Sequence, residues 1–230
     1  MDRKVRDAVI QDIKLGKYDF VWMGTPCSTY SALRSMPGGP RPLRGPGHLA
    51  GLPDLKPWER KKLAEGNSFT DLSADVMELC MQEAVNVPFT LENPEPDGEV
   101  SIFSMPRIKA IAESGHPGIT EVNFDQCRFG GEATKPTRLL AFQVRYPGVD
   151  QSRCDHPLRR FLDENKQRYD ARHRRVAGRK VVNDQGQEEW ASKRLAEYPP
   201  PLCRALAEQI IRVARDRAKT LVDLGRGEGL

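Results

Sequence analysis

The chain lacks several features that would place it outside the cell or in a membrane. It has only five cysteines, an odd number at scattered positions, which suits a reducing compartment better than a disulfide framework. No apolar run approaches the roughly 18 residues that a membrane helix needs. The N-terminus leads into no apolar signal core. We therefore expect an intracellular protein, in the cytoplasm or the nucleus, without a membrane partner.

Aromatic residues are scarce as well, at 7%, and a hydrophobic content of 38% predicts a modest core. Charged residues are abundant at 30%, and together with 18 Pro and 19 Gly they indicate a surface rich in loops. The net charge of +4 is weak evidence for a nucleic-acid partner, but nine Lys or Arg side chains lie between Arg153 and Arg179 with few acids among them. Such a stretch could follow a phosphate backbone, although an isolated charge run is more often a solvated surface.

Hydrophobic spacing predicts alternating helices and strands over the first part of the chain. Apolar residues four apart predict a helix over 3–15, and the apolar run 18–24 predicts a buried strand. The remaining predictions are helices near 70–84 and 106–114, strands over 87–91, 119–124 and 138–144, and a long loop over 35–57. This order is typical of an α/β layer with a parallel sheet.

The chain divides into three parts on this basis. Residues 1–144 form the predicted α/β domain, and residues 145–195 form a polar, irregular and basic segment. In residues 196–230, a triple proline opens a helix that runs to about Ala218 and packs back on the domain.

Reactive residues follow two of the predicted strands. Cys27 comes soon after the first strand, and Glu92 comes directly after the second. A helix separates these strands, so a right-handed crossover would make them parallel, with ends about 4.8 Å apart if they are neighbours. Open α/β sheets bind ligands at this edge. A thiolate beside a carboxylic acid suits attack on an electron-poor ring whose nitrogen is protonated as the bond forms.

These two segments resemble the motifs of cytosine-5 DNA methyltransferases. Pro26 and Cys27 after an apolar strand resemble the family's PC motif, and Glu92 and Asn93 after the next strand resemble its ENV motif. The serine pattern through Ser31 is similar to the PCQxFS sequence of the same family.

Two later segments extend the resemblance in the family's order. Phe129-Gly130 and the segment 134–140 are similar to the YG and QxRxR motifs, and Arg138 takes the place of the last arginine. The segment 198–207 resembles the helix that begins GNSVPP. Together the four segments cover roughly residues 17–215.

The resemblance implies a partial Rossmann-like methyltransferase sheet and a covalent mechanism. A cytosine of double-stranded DNA is flipped into the pocket, where Cys27 attacks C6, Glu92 protonates N3 and Arg138 holds the O2 carbonyl. S-adenosylmethionine then supplies the methyl group to C5. The basic segment 145–195 lies where the family places target recognition. The supporting residues implied by the resemblance are Pro26, Asn93 and Ser31.

The part of the family that holds the cofactor is missing. No FxGxG turn follows a strand, and no acidic residue takes the ribose-binding position. Asp12 could match the acid that reads the adenine only if residues 8–13 formed a strand, and their spacing indicates a helix. The strand before Cys27 would then expose an unpaired edge. A truncated product, a separate or upstream cofactor-binding segment, and loss of methylation all account for this, and we favour truncation.

Other interpretations stay open. A degenerate nucleic-acid-binding remnant would keep the pocket without the cofactor, and a thiol hydrolase would need a histidine base that no recognisable motif provides. Cys154 and His156, with His173 and either Cys127 or Cys203, have the ligand types of a zinc site. Their loose spacing is a weak signal and is more often found in ordinary loops, so we predict no metal site.

Overall fold

The computed structural model of the protein describes residues 2–31, 34, 39–162, 166–173, 176 and 179–227. The α-helices in this part of the chain are α1 (Arg3–Lys14), α2 (Pro57–Cys80), α3 (Pro106–Ala112) and α4 (Pro200–Gly227). The strands are β1 (Val21–Gly24), β2 (Phe89–Pro94), β3 (Ile119–Asp125), β4 (Pro136–Phe142), β5 (Arg159–Leu162), β6 (Arg168–Ala171), β7 (Lys180–Val182) and β8 (Glu188–Trp190).

The first four strands form one mixed sheet in the order β1-β2-β4-β3. β1 and β2 are parallel, as predicted, whereas β4 is antiparallel to both of its neighbours. The expectation of an all-parallel sheet is therefore wrong for β4. The short connection between β3 and β4 contains no α-helix, and a parallel crossover needs about a dozen residues or more.

β1 lies at the edge of this sheet. Among the described residues it pairs with β2 alone, which confirms the unpaired edge expected for the strand before Cys27. Residues 8–13 belong to α1, so the predicted helix is confirmed there, and Asp12 forms an ion pair with Lys17 at 2.6 Å.

Each face of the sheet is covered by its own hydrophobic cluster. One face packs against α1, α2 and α3, and its buried side chains include Ile13, Met77, Phe89, Leu91, Ile108 and Phe142. The other face packs against α4 and the segment after β4, and its buried side chains include Phe124, Leu139, Tyr146, Leu202 and Leu206. The result is a three-layer α/β arrangement in which both faces of the sheet are buried.

Two elements differ from their predictions. α2 begins at Pro57 rather than near residue 70, because Pro57 is suited to the first turn and Glu59 accepts a hydrogen bond from the Lys56 N–H at 2.8 Å. α4 extends to Gly227 rather than to about Ala218. The unforeseen part of α2 contains four consecutive charged residues, 59–62, and that of α4 contains two glycines, so the apolar periodicity is weak in both.

The expectation that residues 145–195 are irregular is also wrong. β5 pairs with β6 and β7 with β8 as two antiparallel hairpins. Their side chains are mostly exposed and charged, so they lack the alternation of apolar residues that reveals a half-buried strand. Positions 163–165, 174–175 and 177–178 of the predicted basic segment lie outside the described residues, as do 35–38 of the predicted loop and 228–230 of the C-terminal part.

None of the helices in the described ranges combines the length and the apolar character needed to cross a bilayer.

Gly66 allows α2 to approach the turn that carries Thr29. A Cβ at Gly66 would lie 2.9 Å from Thr29 Oγ1, and this hydroxyl is held by Arg44 Nη2 at 3.0 Å. The crowding should lower the free energy of unfolding of Gly66→Ala by about 1–3 kcal/mol. The higher helix propensity of alanine, about 1 kcal/mol, offsets part of this loss. Urea denaturation measures this difference. The exposed Glu65→Ala variant is the control, and a Gly66→Ala protein at least as stable as the parent would contradict the close approach.

Candidate functional site

The turn after β1 carries Cys27 and is fixed to α2 by polar contacts. Thr25 Oγ1 lies 2.6 Å from Ser73 Oγ, and the Tyr30 hydroxyl lies 2.7 Å from Thr70 Oγ1. The Cys27 carbonyl accepts a hydrogen bond from the Tyr30 N–H at 2.8 Å, which closes the turn. Because both ends of the turn are anchored to one helix, the thiol has a defined position.

Pro26 and Ser31 lie in this same turn, on either side of the thiol. Pro26 is exposed, and its ring restricts the backbone immediately before Cys27. Ser31 is partly buried, and its carbonyl accepts a hydrogen bond from the Arg34 N–H at 3.1 Å. Both residues therefore shape the path of the chain around Cys27.

The register of β1 and β2 brings Cys27 towards Glu92. Gly24 is the β1 residue paired with Glu92, and Cys27 follows it closely. The buried Asn93 amide donates to the Thr25 carbonyl at 2.7 Å and to the Glu92 carbonyl at 3.0 Å. These bonds hold the two strand ends together, so the thiol and the carboxyl group belong to one site.

Two further residues, Lys135 and Tyr198, complete this site. Tyr198 interacts with the Glu92 carboxyl group and with the Trp22 indole. The Trp22 and Tyr198 rings pack edge to face with centroids 6.3 Å apart. The ammonium nitrogen of Lys135 lies 5.1 Å from the centre of the Tyr198 ring. We call Cys27, Glu92, Lys135 and Tyr198 the thiol–acid cluster.

Lys135 has an uncommon backbone conformation. Its φ of +41° lies in the left-handed region, which residues other than glycine seldom adopt. Strain of this kind costs on the order of 1–3 kcal/mol and persists where the surrounding structure holds it, often at functional sites. Lys135 is partly buried, and the charges of Glu92 and Cys27 both act on its ammonium group.

Burial and neighbouring charges shift the pKa of each group in the thiol–acid cluster. Burial, and next the charge of Glu92, raise the pKa of Cys27, whereas Lys135 lowers it. Burial also raises the pKa of Glu92, against the effect of Tyr198 and the charge of Lys135. Burial lowers the pKa of Lys135, while both partners raise it. The raised pKa of Glu92 favours a protonated carboxyl group that can act as an acid.

Arg138 does not join the thiol–acid cluster. The register pairs Arg138 with Asn123 and places its side chain on the opposite face of the sheet from Glu92. Its Nε donates to Asn123 Oδ1 at 2.9 Å, and its Nη1 lies 3.3 Å from Glu121 Oε2. The cation that the structure brings to the carboxyl group is Lys135.

A cavity of about 410 Å³ adjoins the thiol–acid cluster, with Lys135 and Tyr198 in its wall. Pockets for small ligands span about 300–1,000 Å³, so this cavity falls within their usual size. Its other lining residues include Gln126, Gly130, Gly131, Glu132 and Pro199.

No protein-family model, curated protein or solved structure matches this chain. The chemical capacity of the site follows from its own groups: a thiol, a buried carboxyl group, an ammonium group and a phenol beside a cavity.

Charge substitutions should change the reactivity of Cys27 in opposite directions. Glu92→Gln removes a charge that raises the pKa of Cys27, so alkylation by iodoacetamide at pH 8 should accelerate. Lys135→Gln removes a charge that lowers this pKa, so alkylation should slow. Each half-unit of pKa changes the thiolate fraction about threefold.

Peptide mass spectrometry follows the alkylation of Cys27 and of the exposed Cys203 in the same sample. Cys203 should react at the same rate in all three proteins. Equal rates at Cys27 in the parent and both variants would show that the thiol is not coupled to these charges.

Proposed function

We propose that this chain carries the base-binding and nucleophilic part of a DNA cytosine-5 methyltransferase. The observation that carries the proposal is the meeting of Cys27 and Glu92 at the carboxyl ends of two adjacent parallel strands. The resemblance of both segments to methyltransferase motifs supports the same chemistry. A cavity adjoins the cluster through Lys135 and Tyr198, whereas Cys27 and Glu92 do not belong to its lining.

The reaction begins with addition of the Cys27 thiolate to C6 of a flipped cytosine. The sulfur electron pair forms the S–C6 bond, the C5–C6 π electrons shift to C4–C5, and the C4–N3 π electrons shift to N3. N3 takes the proton of Glu92, which leaves a carboxylate that interacts with Tyr198. Burial raises the pKa of Glu92, so this carboxyl group holds its proton more readily than a carboxyl group in water does. The product is an adduct with a nucleophilic C5.

We assign to Lys135 the role that the resemblance implies for Arg138, which is to hold the O2 carbonyl of the base. Its ammonium group interacts with both reacting side chains. A cation fixed in a cavity wall can contact the O2 carbonyl of the base and offset the charge that develops there. Its effect on the pKa of Cys27 also favours the thiolate.

The described residues do not fit S-adenosylmethionine. α1 stands before β1, so Asp12 is not at the end of a strand, and it pairs with Lys17 instead. No FxGxG turn follows a strand in the described ranges. The chemistry that we assign to the described residues therefore ends at the adduct and its reversal. Methylation with S-adenosylmethionine requires a cofactor-binding segment in addition.

Double-stranded DNA is the partner that we propose. The hairpin of β5 and β6 carries five exposed cations, which are Arg159, Arg160, Lys166, Arg168 and Arg172. This hairpin lies beside the cavity, because the ring of His173 after β6 hydrogen-bonds to the backbone of Glu132 in the cavity wall. Exposed cations next to a base-sized cavity suit contact with phosphates on both sides of a flipped nucleotide.

Exchange of the C5 hydrogen tests the covalent step without the methyl donor. In the adduct, C5 takes a proton from solvent, loses its original hydrogen, and elimination of Cys27 regenerates cytosine. The parent chain should therefore release tritium from a duplex labelled at C5 of cytosine. Cys27→Ala should abolish release, and Glu92→Gln should reduce it about 100-fold or more. Cys203→Ser is the matched control. A folded, DNA-binding parent chain that releases no tritium would contradict the proposal.

The alternative is a nucleic-acid-binding remnant that keeps the pocket without catalysis. The intact thiol–acid cluster argues against this, and the lack of a cofactor cradle in the described residues argues for it. Tritium release separates the two, and a duplex containing 5-fluorocytosine, with S-adenosylmethionine added, shows whether the chain also transfers the methyl group. A stable adduct at Cys27 supports a complete enzyme, because fluorine cannot leave C5 as a proton does. DNA binding with neither adduct nor tritium release supports the remnant.

A further inference from the structure

Four side chains of zinc-ligating type, none of them part of the thiol–acid cluster, converge at the carboxyl end of β3. Cys127 lies in the 3-10 turn after β3, Cys154 and His156 lie in the segment before β5, and His173 follows β6. One ligand atom from each residue lies within 4.8 Å of all the others. Four potential ligands from three separate segments therefore share one point, which their loose spacing along the chain did not indicate.

The distances within this group match tetrahedral zinc. Cys154 Sγ lies 3.4 Å from His156 Nδ1 and 3.5 Å from His173 Nε2. With zinc–sulfur bonds of about 2.3 Å and zinc–nitrogen bonds of about 2.0–2.1 Å, ligand sulfur and nitrogen atoms of a tetrahedron lie about 3.5 Å apart. A small inward adjustment of the wider pairs would complete the geometry. Cys203, the other cysteine considered, is exposed on α4 and does not belong to this group.

Outer contacts already orient the ligands. The Cys154 N–H donates to Asp125 Oδ2 at 2.7 Å, and Arg172 donates to the Cys154 carbonyl. The His173 ring hydrogen-bonds to the Glu132 backbone while its Nε2 faces the Cys154 sulfur. Metal-binding histidines usually donate their second ring N–H to a carbonyl or carboxylate in this way.

The hairpin of β5 and β6 has no fully buried side chain among those that the structure describes. Leu158 before β5 and Leu162 at the end of β5 are 67% and 62% exposed, so they contribute little apolar burial. An isolated two-stranded hairpin is marginally stable in water. Three of the four potential ligands flank this hairpin, with Cys154 and His156 before β5 and His173 after β6.

We propose that Cys127, Cys154, His156 and His173 form a structural zinc site that fastens the β5–β6 hairpin to the end of β3. Two thiolates and two imidazoles fill a tetrahedral shell and leave no open position for a substrate, so the site is structural rather than catalytic. The metal sets the position of the exposed arginines beside the cavity. Zinc binding itself does not depend on the proposed methyltransferase function, whereas the positioning of DNA by the hairpin does.

Zinc content of the reduced full-length chain tests the site. The parent should bind about one zinc ion per chain. Cys127→Ser, Cys154→Ser and His173→Asn should each weaken binding more than about 100-fold, because loss of an outer partner alone costs about 10–100-fold. Elemental analysis and competition with a chromogenic chelator give these values. Cys203→Ser and the exposed His48→Asn are the matched controls. A parent that binds no zinc, or ligand variants with parental affinity, would overturn the proposal.

Cobalt substitution in the parent chain covers the case in which ligand variants fail to fold. Co²⁺ should give the visible absorption of a tetrahedral ion together with thiolate charge-transfer bands. A spectrum without thiolate bands would overturn the site. Removal of the metal should also accelerate proteolysis within residues 154–173 more than elsewhere in the chain. Because metal content and tritium release are measured separately, failure of the zinc site and failure of the methyltransferase proposal are distinguishable.

Discussion

The parallel pairing of β1 with β2, closed by the Asn93 amide on the Thr25 carbonyl, is the constraint on which the site depends. It delivers a thiol and a carboxyl group from distant parts of the sequence to the same edge of the sheet. The contacts of Thr25 and Tyr30 with α2 then fix the turn around Cys27. Tyr198, just before α4, reaches the carboxyl group from the other layer. Three layers therefore meet at one cluster, so its geometry is a property of the whole fold.

The electrostatic balance within the cluster suits addition chemistry. Burial disfavours every charged form in it, and an isolated charge there would be costly. The charge of Lys135 offsets this cost for both the thiolate and the carboxylate. These charge interactions compensate for the strain of its left-handed backbone. The same burial raises the pKa of Glu92, so its carboxyl group holds a proton more readily than a carboxyl group in water does. A nucleophile, an acid and a compensating cation thus coexist because each modifies the protonation of the others.

Sequence reasoning located Cys27 and Glu92 because each follows a short apolar run, and parallel strands place such residues at one edge. It misplaced the cation, since β4 begins at Pro136 and pairs antiparallel, so Pro94 lies opposite Thr137 and the start of β4 meets the end of β2. Glu92 therefore lies opposite Leu139. The side chain of Arg138, one residue earlier, lies on the other face of the sheet. The convergence of Cys127 with His173 was equally hidden, because it depends on where the hairpin of β5 and β6 folds, and spacing along the chain does not determine that.

Covalent trapping on DNA tests the central claim most directly. Pyrimidin-2-one, in place of cytosine in a duplex, accepts a thiolate at C6 without a methyl donor. Digestion and mass spectrometry of the cross-linked protein identify the attached residue. The account predicts one adduct, at Cys27, that is lost in Cys27→Ala. An adduct at another cysteine, or none from a chain that binds the duplex, would contradict it.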